Sequence, residues 1–208
     1  MRKAVISIDY AYMGERDEGM PILVMIDRKS KMRNADVVPE KGANEYAVRR
    51  LTQNMDFVGY RNPEVQICKS DQEPALKALR TAVMRNREQG TAPEESPVGE
   101  SQSNGEVENA VKMIQGMARV IKAGLERRLG KRIPRDHPIV PWIIRHAAGI
   151  LNRRLVGKDG KTAHERARGR RWRKKGAEMG ETVFYLKPRS KGKRPGRSWD
   201  VCSIGYKE

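Results

Sequence analysis

The stretch "AVISIDYAYMG", residues 4–14, sets the fold class. Apolar and polar residues alternate along it and Gly14 closes it, the pattern of a half-buried β-strand. Asp9 stands near its middle, between Ile8 and Tyr10, where a charged group is costly unless it is paired or binds a cation. "MPILVMIDRKSK" (20–31) follows with a dense aliphatic run, as in a strand buried on both faces. "RNADVVPEKG" (33–42) reads as a third, short strand closed by Pro39 and Gly42. The three together read as an antiparallel meander.

The period then changes. "NEYAVRRLTQNMDFVGY" (44–60) is helical, with Ala47, Leu51, Met55 and Val58 on one side. "EVQICKSD" (64–71) is a strand ending on Asp71, and "EPALKALRTAVMRNRE" (73–88) is a helix with Leu76, Leu79 and Val83 inward. "QGTAPEESPVGESQS" (89–103) reads as a loop with room for a short edge strand. A long helix runs from 106 to about 129 and ends at Gly130. Another covers 139–156, with Pro141 in its first turn. Beyond Gly157 the chain is basic and Gly/Pro-rich, with two late strands in "ETVFYLKP" and "SWDVCSIGY". A strand reached through a crossover helix follows the meander, so a mixed sheet with helices on both faces is the natural packing. The expected division is a core over 1–156 and a basic linker with a partial β-rich segment over 157–208.

The 208 residues are 38% hydrophobic, enough for one ordinary domain and a small appendage. No apolar run approaches the ~20 residues of a membrane span. Asp9 and the alternation around it favour a strand over a secretory leader at the start. Cys68, Cys202 and three dispersed histidines are too few for a disulfide scaffold or a zinc site, which implies a reducing, intracellular setting. The net charge of +17 is unevenly spread: residues 1–118 carry 17 Lys/Arg against 18 Asp/Glu, and residues 119–208 carry 26 against 8. The excess peaks in "RARGRRWRKK", where seven of ten residues are basic. A neutral body with a strongly basic end is the electrostatic footprint of nucleic-acid binding. Trp142, in "IVPWII", reads as core; Trp172, in "GRRWRKK", is the better candidate for a nucleic-acid contact.

Three carboxylates carry the chemistry. Asp9 lies in the first strand, Asp71 at the C-terminal end of another, where open sheets place ligand groups, and Glu108 in the first turns of the long helix. Each has an ordinary explanation alone: an edge ion pair, a helix cap, the helix dipole. One acid from each of three separated segments is also what a Mg²⁺ site needs. Glu106 and Glu108 are two apart and so point about 200° apart on a helix. Glu108 heads a polar row, Glu108, Lys112, Gln115, Arg119 and Lys122, that suits a helix laid along DNA, whereas the dipole and solvent account for Glu106.

"ISIDYAYMG", "CKSDQEPAL" and "ESQSNGEVENAVK" resemble the three blocks of the retroelement integrase catalytic core, the Asp-Asp-Glu family shared with retroviral integrases and many transposases. "PWIIRHAAGILNRRLVGKDGKTAHERARGRRW" resembles the segment after the core in copia-type retrotransposon polyproteins. The resemblance covers residues 4 to about 172. It implies a ribonuclease-H-like α/β fold, a mixed five-stranded sheet flanked by helices, with a short basic β-rich extension. It implies that Asp9 binds both of two Mg²⁺ or Mn²⁺ ions, Asp71 one and Glu108 the other. Asn104 and Gly105 would shape the approach to the helix, and Lys112 would face DNA, with Arg170, Arg171, Arg173, Lys174 and Lys175 adding phosphate contacts. The implied activity is DNA integration, 3′-end processing then strand transfer, by a homo-oligomer in the nucleus with no membrane partner and no zinc. The sequence departs from the family at Gln72 and Glu73, where Asn-Gly is usual, and the 36 residues between Asp71 and Glu108 are one more than the usual spacing. It also does not contain the family's His-His-Cys-Cys zinc module. A fragment of a larger polyprotein fits these departures. The alternative is a decayed, catalytically inactive integrase-like nucleic-acid-binding protein.

Overall fold

The alternation read in residues 4–14 builds the central strand, β1 (Ala4–Ala11). The computed structural model describes residues 4–14, 19–59, 66–87, 91–95, 105–174, 176–186 and 199–203. β1 pairs antiparallel with β2 (Ile22–Asp27), which pairs antiparallel with β3 (Arg33–Val37). On its other side β1 pairs parallel with β4 (Gln66–Ser70), and β4 pairs parallel with β5 (Thr91–Glu95). The sheet is thus five-stranded and mixed, in the order β3-β2-β1-β4-β5. β5 occupies an edge, where Pro93 can be tolerated because one side needs no ladder donor. The Gly and Pro density of residues 89–103 around it makes this stretch read mainly as loop in the sequence.

Two helices cover each face. α1 (Glu45–Val58) starts where the Asn44 side chain accepts from the Ala47 N–H at 2.8 Å and stops at Gly59, whose φ of 111° favours glycine. α1 and α2 (Pro74–Asn86) bury Leu51, Met55, Leu76 and Leu79 against Ile6, Ile8, Leu23 and Met25. On the other face, α3 (Gly105–Leu129) and α4 (Val140–Arg154) bury Ile114, Ala118, Ile143 and Ala147 against Val24, Ile26 and Ala35. All six residues of β2 are buried, as its continuous aliphatic run requires.

Beyond α4 lies α5 (Ala163–Arg168), which the sequence reading did not separate from the basic tail. Its signal is Thr162-x-x-Glu165: the Thr162 hydroxyl accepts from the Glu165 N–H at 3.1 Å. β6 (Thr182–Leu186) and β7 (Trp199–Ser203) pair antiparallel in a separate two-stranded sheet. Among the described residues no helix is long and apolar enough to cross a membrane.

β3 is the other edge, and α4 closes it. The Asn152 amide accepts from the Arg33 N–H at 2.8 Å and donates to the Arg33 carbonyl at 2.6 Å, replacing the two bonds of a missing strand. Asn152 is buried, so removing its amide strands two backbone groups away from water. Asn152→Ala is expected to lower the unfolding free energy by about 2–6 kcal/mol, from a cost of about 1–3 for each of the two orphaned groups. Urea unfolding measures this, and a variant within a few tenths of wild type would show that the amide is dispensable.

Candidate active site

The parallel register pairs Ile8 with Ser70. One step further along each chain stand Asp9 and Asp71, on neighbours whose strands run about 4.8 Å apart. β4 stops at Ser70, so Asp71 sits just past the strand end, where it is exposed. The pleat turns Asp9 away from Ile8 and Tyr10, toward the face that α3 covers. α3 is fixed along the end of β1 by the Gln115 amide, which donates to the Tyr12 carbonyl at 2.7 Å. Glu108 lies in its first turn and is exposed.

Asp9 feels all of this. Burial pushes its carboxyl up to about 6 from 3.8, and the charges of Glu73, Asp71 and Glu108 push the same way, while the Tyr10 N–H donating to it at 2.8 Å opposes them. Two of the acids singled out from the sequence, Asp71 and Glu108, therefore act on the third, Asp9. They do not close into a cage: among the described residues no three His, Cys, Asp or Glu side chains are grouped so as to hold a metal ion.

Glu73 is a fourth acid that the sequence reading set aside as a departure. It precedes α2, makes no side-chain cap, and acts on Asp9 more strongly than Asp71 or Glu108 does. Lys41 holds it at 2.9 Å, and the Lys41 ammonium also lies 5.6 Å from the Tyr10 ring centre and 5.3 Å from that of Tyr12. The replacement of an amide-glycine pair by Gln72-Glu73 was the available signal.

The remaining site residues divide. Lys112 and Arg119 are exposed along α3, as the polar row predicts. Gln115 is instead spent on Tyr12, and Lys122 pairs with Glu126 at 3.1 Å. Glu106 is not left to dipole and solvent, because Lys31 binds it at 2.8 Å. Arg170 and Arg173 are exposed, whereas Arg171 lies 3.3 Å from Glu165. Asn104 and Lys175 fall outside the described residues. Trp172 meets His164 edge-on at 5.3 Å, with Arg153 4.6 Å and Lys174 5.9 Å from its ring centre. Trp142 is 60% exposed rather than core. The buried stripe of α4 is Val140, Ile143, Ala147 and Leu151, and position 142 points to the opposite side of the helix. Cys68 is buried and its thiol is pushed up to about 12 by burial, so it is no nucleophile.

Two solved structures share this fold. The catalytic core domain of BIV integrase matches with a TM-score of 0.55 at 21% identity, covering 77% of this chain and 91% of that one. The HTLV-2 integrase catalytic core domain, solved with magnesium in a dimeric form, matches with a TM-score of 0.56 at 14% identity, covering 79% and 94%. The chain has the fold of a retroviral integrase catalytic core. No protein-family model matches it, and no curated protein does. In this integrase-core fold Asp9 is on the central strand, with the other acids at the ends of elements that flank it.

A raised folded value makes Asp9 a stabilising group only while protonated. Its contribution is complete below about pH 4, near the unfolded value, and is lost as pH rises through about 6. The loss is on the order of 3 kcal/mol, at about 1.36 kcal/mol per pKa unit. Asp9→Asn should therefore unfold at higher temperature than wild type near neutral pH, with the gap closing toward about pH 4. A gap independent of pH would show that Asp9 titrates normally.

Proposed function

We propose that this chain is the catalytic core of a DNA integrase, acting by metal-dependent phosphoryl transfer at DNA phosphodiesters. The observation that carries the reading is Asp9: a carboxylate on the central strand of an integrase-core fold, with its pKa raised by burial and by acids from separate elements. The donors are all carboxylate oxygens, which suit a hard divalent cation such as Mg²⁺ or Mn²⁺, and their mutual repulsion is what such a cation relieves. Asp9, Asp71 and Glu108 would hold it. When bound, a pair of such ions activates a water or a 3′-hydroxyl and stabilises the leaving oxygen. The chain's own contribution is positional: β1 carries Asp9, the end of β4 brings Asp71 next to it, and α3 carries Glu108 at the head of a face where Lys112 and Arg119 are exposed for phosphates. The magnesium and the dimeric form of the HTLV-2 neighbour support a magnesium cofactor and a homo-oligomer here. DNA is the substrate proposed, and the nucleus its place. Both neighbours are retroviral, so the copia-type reading rests on the sequence segment over 141–172 alone.

A strand-transfer assay with Mg²⁺ or Mn²⁺ tests the reading. Asp9→Asn and Glu108→Gln should abolish joining of DNA ends to target, and Glu106→Gln should largely keep it, because its exposed pair with Lys31 is worth at most about 1 kcal/mol. Loss in Glu106→Gln with retention in Glu108→Gln would reverse the assignment. Inactivity of the wild type with intact DNA binding would favour the decayed-integrase alternative. For the basic run, replacing Arg170, Arg171, Arg173 and Lys174 by Ala should weaken binding of all sequences alike. The log–log salt slope should flatten by about 0.9 for each phosphate that the run neutralises; an unchanged slope would remove this run from the DNA surface.

A further inference from the structure

Arg33, at the start of β3, is 8% exposed. Among the described residues no carboxylate pairs with it. Its Nη1 donates to the Lys31 carbonyl at 3.1 Å and its Nη2 faces the Met113 sulfur at 3.8 Å, while its buried Nε has no partner. Burial, and then the charge of Arg166, push its pKa below the ordinary arginine value. A guanidinium stays charged even so, and a buried cation without an anion is strongly unfavourable.

Arg33 lines a cavity of about 480 Å³ between the β2–β3 turn, the start of α3 and the stretch 155–166. Lys29, Lys31, Lys158 and Arg166 line it too, with Glu106 and Asp159 as its acids. Both acids are already taken. Lys31 binds Glu106 at 2.8 Å, and Arg166 binds Asp159 and holds its carboxyl well below the usual range. Setting those two pairs aside leaves Arg33, Lys29 and Lys158, among the described residues, as cations with no carboxylate partner in the cavity. The walls are fixed in place: Arg166 also donates to the Ser30 carbonyl at 3.4 Å, and Lys31 is held at φ 62°, a conformation uncommon outside glycine. Glu106 and Asn109 place the rim within one helical turn of Glu108.

We propose that this cavity is an anion site for a phosphate of a nucleic-acid backbone, with Arg33 at its base and Lys29 and Lys158 at its rim. The ligand's class rests on the DNA reading above, but the site's chemistry does not. A tetrahedral, multiply charged anion accepts from a guanidinium and from two flexible ammonium groups at once, which is what the cavity offers. Bound there, a backbone would pass the end of α3 on its way to the acids, giving the strand a fixed point outside the reacting centre.

Thermal unfolding of the whole chain with inorganic pyrophosphate, and duplex binding against salt, test this on wild type, Arg33→Gln and the surface double variant Lys29→Glu/Lys158→Glu. Pyrophosphate should raise the wild-type Tm by linkage and leave both variants unmoved. The duplex salt slope should fall in both variants by about 0.9 for each phosphate no longer neutralised. If Arg33→Gln fails to fold, the surface variant still decides. A Tm shift and a slope both unchanged in that variant would overturn the site. A vanished Tm shift with an unchanged slope would mean a small-anion site and overturn the nucleic-acid assignment. Absence of strand transfer in wild type, with these binding results as expected, would sink the integrase reading and leave the anion site standing.

Discussion

The fold depends on the parallel pairing of β1 with β4. β1 is hydrogen-bonded on both sides, to β2 with Asp9 opposite Val24 and to β4 with Ile8 opposite Ser70, so its register has no slack. A slip of one residue would turn Ile6, Ile8 and Tyr10 out of the α1–α2 core and put Asp9 into it. The hydrophobic pattern of one strand thus fixes where the carboxylate points. α1 is the crossover that makes the pairing parallel, and it brings the β4 end, and with it Asp71, beside β1 at the same end of the sheet.

What could be read from the sequence follows from how strong the local periodicity is. The meander, β4, α1 through α4 and the mixed character of the sheet are legible because apolar spacing of two or of three and four is unambiguous over those lengths, whereas the count of five strands comes from the family resemblance. β5 was obscured by Pro93 and its Gly-rich flanks, which are acceptable at an edge but carry the signature of a loop. α5 is six residues long and lies in a run of arginines, so only its capping box announced it. Trp142 reads as core from its apolar neighbours, but its angular position on α4 turns it away from the buried stripe and out to solvent. The acids Asp9, Asp71 and Glu108 are legible in the sequence as candidates, and the structure shows that Asp71 and Glu108 both act on Asp9. Glu73 is not legible there, since its role comes from where the β4–α2 connection folds back and not from any motif.

The site is electrostatically tense by construction. Asp9 is short of donors, with one backbone N–H against burial and three neighbouring acids. Lys41 offsets part of this by binding Glu73, but two tyrosine rings hold it in place, and its charge is spent on Glu73 rather than on Asp9. A part-buried acid pressed upward by burial and by three neighbouring acids is what a bound cation would relieve, as the proposed function requires. A fold needing only stability would place an apolar residue at position 9, as it does at Ile6 and Ile8.

The basic C-terminal stretch is likewise part of the folded surface up to Met179. Trp172 is gripped by His164 and Arg153, Arg154 reaches the Lys174 carbonyl at 3.4 Å, and Met179 is buried against the α3–α4 core. Arg128 donates to the Met179 carbonyl at 2.7 Å, which anchors the far end of the run. Cations held this way lose less freedom on meeting a phosphate backbone than the same residues on a loose tail. On the proposed DNA reading, a duplex lying across this stretch would meet cations whose backbone is anchored at both ends and would therefore have a preferred direction. The anchoring comes from the same α4 that closes the β3 edge through Asn152, which makes the position of Arg33 and the position of the basic run two consequences of one helix.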